Sequence, residues 1–284
     1  MRDVLQKYGL RLQRDLGQNF LINEGMAERL AGLAGAQAGD SIIEVGTGLG
    51  CLTRALAARV DRVVTIEIDS GLVRALRGES LLPSNVELIH ADALDVDLHA
   101  LAARLGPRVR LVANLPYSVA TPLLRSLLDL RFALLDWSVM LQKEVAERLL
   151  AECGSKAYGS FSVLHQLTVT VQREAELGAK NFFPVPRVAS SFVRLAPRSD
   201  SPVAADELVS LERVSRAAFG KRRKTIANSI RAAHFPVRLA TADLALALAK
   251  VGIDSRERAE RVPAEQLLAL ARELASFAAD PASR

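Results

Sequence analysis

The sequence predicts an α/β fold, a mostly parallel sheet with helices on both faces, followed by a small all-helical domain. Short β-branched runs alternate with helical patterns through the first two thirds of the chain, which is how parallel strands joined by crossover helices read. Beyond residue 205 the apolar residues recur at helical spacing with few β-branched ones. The length, 284 residues, exceeds the roughly 250 that one hydrophobic core usually serves, so a large domain and a smaller one are expected.

In chain order, residues 41–45, 62–68, 86–90, 109–113 and 137–141 read as strands, each short and rich in Val, Ile or Leu. Residues 52–58 and 70–77 read as the first crossover helices. Turn formers cluster in Ala196-Pro197-Arg198-Ser199-Asp200-Ser201-Pro202, and the boundary is expected there: a catalytic domain over 1–197 and a helical domain over 203–284. Four helices are expected in the second, at 207–219, 224–233, 242–251 and 263–279. In an open parallel sheet ligands bind beyond the carboxyl ends of the strands, so the chemistry should lie at those ends.

Composition narrows the class. At 50% hydrophobic and 24% charged the chain is ordinary for a soluble globular protein, which excludes collagen-like and wholly disordered readings. Apolar stretches such as 132–135 and 163–167 are too short to span a membrane. The first residues lack the apolar core of a secretory signal, and Cys51 and Cys153 have no C-x-x-C spacing. A cytoplasmic location is expected. The net charge of +5 is unevenly placed, since residues 205–284 carry 14 Lys and Arg against 10 Asp and Glu. Between Arg213 and Arg238 stand eight cations and no acid. Such a run is either a solvated helix face or a phosphate-binding patch; Lys221, Arg222, Arg223 and Lys224 are its densest part.

The first strand runs into Glu44-Val45-Gly46-Thr47-Gly48-Leu49-Gly50. Glycines there let the backbone turn tightly and approach a ligand, and G-x-G-x-G favours a loop under an adenosine ligand over the pyrophosphate cradle of G-x-G-x-x-G. Glu67 ends the second strand, 19 residues beyond Gly48, where a carboxylate can accept from two ribose hydroxyls. Asp92-Ala93 follows the third, where Asp92 can accept from an adenine amino group. Each feature alone also fits a plain turn or cap.

The fourth strand ends in Asn114-Leu115-Pro116-Tyr117. An exocyclic amine on a nucleobase is a poor nucleophile because its lone pair is delocalised into the ring. Two acceptors aimed at its hydrogens, the Asn114 side-chain oxygen and the Leu115 carbonyl, favour a localised lone pair. Pro116 stiffens the turn, and Tyr117 can stack on an extruded base. Methyl transfer from a sulfonium then needs positioning and electrostatics, with no metal. His90, His99, His165 and His234 show no metal-ligand spacing among themselves or with the cysteines.

Taken together, Gly17-Gln18-Asn19-Phe20-Leu21, the Glu44 to Gly50 loop, Glu67, Asp92, the Asn114 to Tyr117 motif, Phe182-Phe183-Pro184-Val185-Pro186-Arg187-Val188 and Phe219-Gly220-Lys221-Arg222-Arg223-Lys224-Thr225 occur in the order seen in ribosomal RNA adenine dimethyltransferases of the bacterial small-subunit kind. The chain resembles that family over about residues 8 to 262. The resemblance implies a class I (Rossmann-like) fold, S-adenosylmethionine as methyl donor and small-subunit rRNA as partner. Two adjacent adenosines of its 3′-terminal hairpin would each be dimethylated at N6, by a monomer with no membrane attachment. It also implies roles: Asn19 and the Leu21 backbone over the cofactor, Gly46 and Gly48 in its loop, Glu67 on the ribose, Asp92 and Ala93 at the adenine, and Asn114 bridging cofactor and methyl acceptor. Phe182 would face Tyr117 across the target base. Thr47 stands where proline is frequent, and Val185 replaces a frequent third proline; neither position carries chemistry. The rivals are a large-subunit rRNA methyltransferase of the macrolide-resistance type, disfavoured by the tail, and a non-catalytic ribosome assembly factor, disfavoured by the intact motifs.

Overall fold

In the computed structural model the described residues are Tyr8, 19–114, 117–186, 188–233 and 240–279. Two compact units divide the chain, one spanning Met1–Ala146 and Gln172–Pro197, the other Glu147–Val171 and Arg198–Arg284. The second is therefore not a single run of sequence.

In the first unit, strands β2 (Ser41–Val45), β3 (Arg62–Glu67), β4 (Val86–His90), β5 (Val109–Asn114) and β6 (Asp136–Gln142) pair in parallel in the order β4-β3-β2-β5-β6. β9 (Ser190–Pro197) adds antiparallel to β6, with β7 (Val169–Leu177) beyond it. Their interiors are apolar and buried, with Ile42, Val63, Leu111 and Trp137 at 0% exposure, as strands covered on both faces require. The crossovers are α1 (Glu24–Leu33), α2 (Cys51–Ala57), α3 (Ser70–Gly78), α4 (Leu98–Leu105) and α5 (Tyr117–Asp129), with α6 (Lys143–Leu149) after β6. Asn23, Asp69 and Asp97 start α1, α3 and α4 by accepting backbone N–H groups of the first turn. Register then sets Val45 beside Ile66 and Ala113, and Glu67 beside His90, along one end of the sheet.

The five expected parallel strands are present, but β3 stops at Glu67 and β5 continues to Asn114. Ile68 has left the sheet and is 47% exposed. A separate two-stranded ribbon pairs β1 (Phe20–Leu21) antiparallel with β8 (Phe182–Phe183), Phe20 opposite Phe183 and Leu21 opposite Phe182. Leu21 and Phe182 enter the core that holds Leu30, Leu56, Val112 and Phe192. At the opposite end of the sheet Asp40 and Asp136, both buried, are bridged by Arg110, with Arg108 on Asp40 and Arg194 on Asp136. Removing one partner from such a buried set leaves an unpaired charge and costs several kcal/mol, about 3 to 5, so this ladder braces the end away from the glycine loop.

The second unit is built on α8 (Leu208–Phe219), against which α7 (Ser160–Thr168), α9 (Ile226–Arg231) and α11 (Ala264–Ala279) pack, with α10 (Thr241–Lys250) on α11. Tyr158 meets Phe219 edge-on at 5.6 Å between ring centroids and donates to the Val262 carbonyl at 3.2 Å. The tail thus takes α7 from the middle of the sequence. Among the described residues no helix is long and apolar enough to cross a membrane.

Candidate active site

The carboxyl ends of β2, β3 and β5 meet around the glycine loop. Gly46 and Gly48 have φ of +88° and +56°, a left-handed backbone that side chains oppose. Space is the second reason: a Cβ on Gly46 would lie 3.1 Å from the Asn114 carbonyl oxygen, and one on Gly48 3.0 Å from the Phe20 ring. The loop therefore sits directly against the end of β5 and against β1.

Glu67 holds this loop. Its Oε2 accepts from Gly48 N at 2.8 Å and its Oε1 from Asp69 N at 2.9 Å. Each oxygen keeps further lone-pair capacity for a ligand donor. At 6% exposure, burial pushes the carboxyl above the usual range against the backbone N–H groups that favour its charge. A pair of added hydroxyl donors would tip it toward the charged form. Asp92 is half-buried and turns the chain by accepting from Leu94 N at 2.9 Å, and Ala93 is buried.

Behind the loop lies a buried polar network. Thr53 and Thr65 donate to Glu44 Oε2 at 2.6 and 2.7 Å, and Thr47 donates in turn to Thr65 at 2.7 Å. Thr47, passed over in the sequence as carrying no chemistry, anchors the loop. Burial pushes the Glu44 carboxyl up to about 7. The folded value lies above the unfolded one, so from about pH 4.5 to about pH 7 the unfolded chain releases a proton that the folded chain keeps. Stability falls as pH rises through that window, by roughly 3 kcal/mol in full. Glu44→Gln, neutral throughout, is expected to lack this component. Its melting temperature should therefore gain on the parent's between about pH 5 and 7 and then hold level in the absence of ligand; parallel profiles would contradict the assignment.

Asn114, half-buried at the end of β5, donates from Nδ2 to the Asn19 carbonyl at 3.2 Å. Asn19, Gly46 and Asn114 are thus neighbours, as are Gly48 and Glu67, and Leu21 and Phe182. Leu115 and Pro116 lie outside the described residues, and so does the Tyr117 side chain, although Tyr117 opens α5. Phe182 is 2% exposed and belongs to the core. Ile68 and Leu94, 47% and 46% exposed beside Glu67 and Asp92, went unnoticed in the sequence. Their signal was an apolar residue just past a strand-end acid at two successive strands.

In the second unit Lys221, Arg222, Arg223 and Lys224 are all exposed in the turn between α8 and α9, and none forms an ion pair with a carboxylate among the described residues. Ser229, buried, shapes the turn by accepting from Lys221 N at 3.0 Å while donating to the Ala217 carbonyl at 2.8 Å. Arg222 donates to the Lys156 carbonyl at 2.6 Å, so exposed Lys156, distant in sequence, joins the basic cluster.

The model of the family described as ribosomal RNA adenine dimethylase matches residues 9–276. Ribosomal RNA small subunit methyltransferase A of Rhodospirillum rubrum is 41% identical over 275 residues, 96% of this chain and 91% of that protein. A crystal structure of a dimethyladenosine transferase from Plasmodium falciparum superposes with a TM-score of 0.73 at 24% identity, over 92% of this chain and 98% of that one. One of the 23S rRNA methyltransferase ErmE gives 0.64 at 24%, over 90% and 100%. The fold is the Rossmann-like methyltransferase fold with added C-terminal helices. The chain belongs to the ribosomal RNA adenine dimethylase family.

Proposed function

We propose that this chain dimethylates N6 of two adjacent adenosines in the 3′-terminal hairpin of small-subunit rRNA, with S-adenosylmethionine as methyl donor. The observation that carries the reading is the convergence of the glycine loop, Glu67 and Asn114 at three adjacent strand ends, the loop backbone hydrogen-bonded to Glu67 and packed on the Asn114 main chain. Family membership supplies the substrate class.

The residues present suit an adenosyl ligand. Two glycines let the loop backbone lie against the Asn114 carbonyl and the Phe20 ring, a buried carboxylate retains acceptor capacity, and exposed Ile68 and Leu94 beside Glu67 and Asp92 would offer apolar surface to a flat ring. Glu67 would take the ribose hydroxyls, Asp92 and the Ala93 backbone the adenine edge, and Gly46, Asn19 and the Leu21 backbone the remainder. When bound, S-adenosylmethionine supplies an electrophilic methyl group. The chain's own part would be to hold the amine: Asn114 Oδ1 and the Leu115 carbonyl would accept its hydrogens, and Tyr117 would stack on the base. The methylated amine has one hydrogen left for two acceptors, so the second transfer requires the base to rotate while Asn114 stays fixed. Phe182 as the opposite aromatic face requires that base entry uncover a ring only 2% exposed in the free chain.

The exposed cations of the α8–α9 turn would meet rRNA phosphates within the small subunit or its precursor. Replacing Lys221, Arg222, Arg223 and Lys224 by Gln is expected to weaken rRNA binding. The salt dependence of log K should also flatten by about one unit per lost phosphate contact. Filter binding across a salt series reads it, and an unchanged slope returns the turn to a solvated surface. The function itself is tested by transfer of labelled methyl groups onto unmethylated small subunits with mapping of the modified bases. Label on large-subunit RNA instead would overturn the proposal.

A further inference from the structure

We infer that Asn181, paired with Asn23, is a positioning residue for the transfer: it clips the segment that fixes which way the Asn114 amide faces. The inference rests on the proposed role of Asn114 as acceptor of the target amine.

The polarity of three side-chain amides is settled by their neighbours. Met26 N–H points at Asn23 at 3.0 Å, so Oδ1 must face it. Asn23 Nδ2 then donates to Asn181 Oδ1 at 3.1 Å. Asn181 Nδ2 donates to the Gly178 carbonyl at 2.9 Å, a group that only a donor can face. Asn181 is 4% exposed, and its main-chain carbonyl accepts from Ile22 N at 3.0 Å. One residue thus grips both Ile22 and Asn23. Immediately before them Phe20 and Leu21 pair with Phe183 and Phe182, and Asn19 presents its carbonyl to Asn114 Nδ2 at 3.2 Å. A carbonyl only accepts, so Asn114 must turn its nitrogen toward Asn19 and its Oδ1 away. That is the polarity an acceptor of amine hydrogens needs, because the reversed amide would set N–H against N–H.

The clip can be broken without touching the helix cap. Aspartate caps α1 as well as asparagine does, yet at position 23 it would set an oxygen against Asn181 Oδ1. Asn23→Asp and Asn181→Ala are each expected to lower kcat about tenfold, counted per cofactor-binding site, as misplacement of a catalytic group does. KM for unmethylated small subunits should stay within about twofold, and the melting temperature within about 2 °C. Because the two residues act as one unit, the double variant should be no worse than the poorer single. Single variants with kcat near the parent's, or losses that multiply in the double, would overturn the inference. Absence of transfer by the parent chain would instead sink the functional reading and this inference with it, whereas an active parent with undiminished variants sinks this inference alone.

Discussion

Asn114→Ala is expected to cut methyl transfer by roughly a hundred- to a thousandfold, the scale of losing one preorganised hydrogen-bonding group at a reacting centre. Cofactor affinity should change much less. The effect would fall on the chemical step because the Asn114 amide donates to the Asn19 carbonyl and, in the proposed role, turns its oxygen to the amine, so truncation would remove the acceptor and the tie to Asn19 together. Asn114→Asp is the sharper variant, since it retains an oxygen for the amine but sets its second oxygen against Asn19. Calorimetry with S-adenosylhomocysteine, paired with single-turnover transfer, separates binding from chemistry. Turnover near the parent's in Asn114→Ala would remove Asn114 from the mechanism.

Glu67→Gln is expected to weaken S-adenosylhomocysteine binding about a hundredfold at neutral pH, as for the loss of charge-assisted hydrogen bonds. Both oxygens of Glu67 already receive backbone N–H groups, from Gly48 and Asp69, so the amide of glutamine must turn a donor toward a donor. The parent should show a pH dependence that the variant lacks. Burial raises the Glu67 pKa in the free chain, and ribose hydroxyls stabilise the carboxylate, so binding expels a proton. Affinity is then complete above the raised pKa and declines as pH falls through it. Calorimetry from neutral pH down through the raised carboxyl range reads both effects. A variant that binds as the parent does, or a parent with flat affinity on the acid side, would refute the ribose assignment.

The parallel sheet was legible because buried strands need runs such as Ser41–Val45 and Val109–Asn114, and such runs have few alternative uses. The strand-end positions of Glu67 and Asn114 were legible from the strand pattern, and the structure brings both to the glycine loop. Other parts depend on partners far apart in sequence. Asn23 and Asn181 are unremarkable alone and acquire meaning only through their 3.1 Å contact, and Lys156 joins the basic turn only through the Arg222 side chain. The same separation hid the place of α7 in the second unit, since its pattern is that of any apolar helix. β7 escaped notice because Gln172, Arg173, Glu174 and Glu176 interrupt it, as suits a strand at the margin of a sheet.

The β1–β8 ribbon also bears on the order in which the molecule becomes competent. Joining Phe20 to Phe183 closes a loop that contains nearly the whole sheet, and the entropy of closing so long a loop is offset only once the intervening strands have packed. A nascent chain that has emerged as far as β6 already holds the glycine loop, Glu67 and Asn114, yet it lacks the strand that draws Asn19 onto them. If the proposed site is right, competence to use it would arrive late in synthesis, with the segment carrying Asn181 and Phe182. A chain cut short before that point would lack the partners that Phe20, Leu21, Ile22 and Asn23 find at residues 181–183.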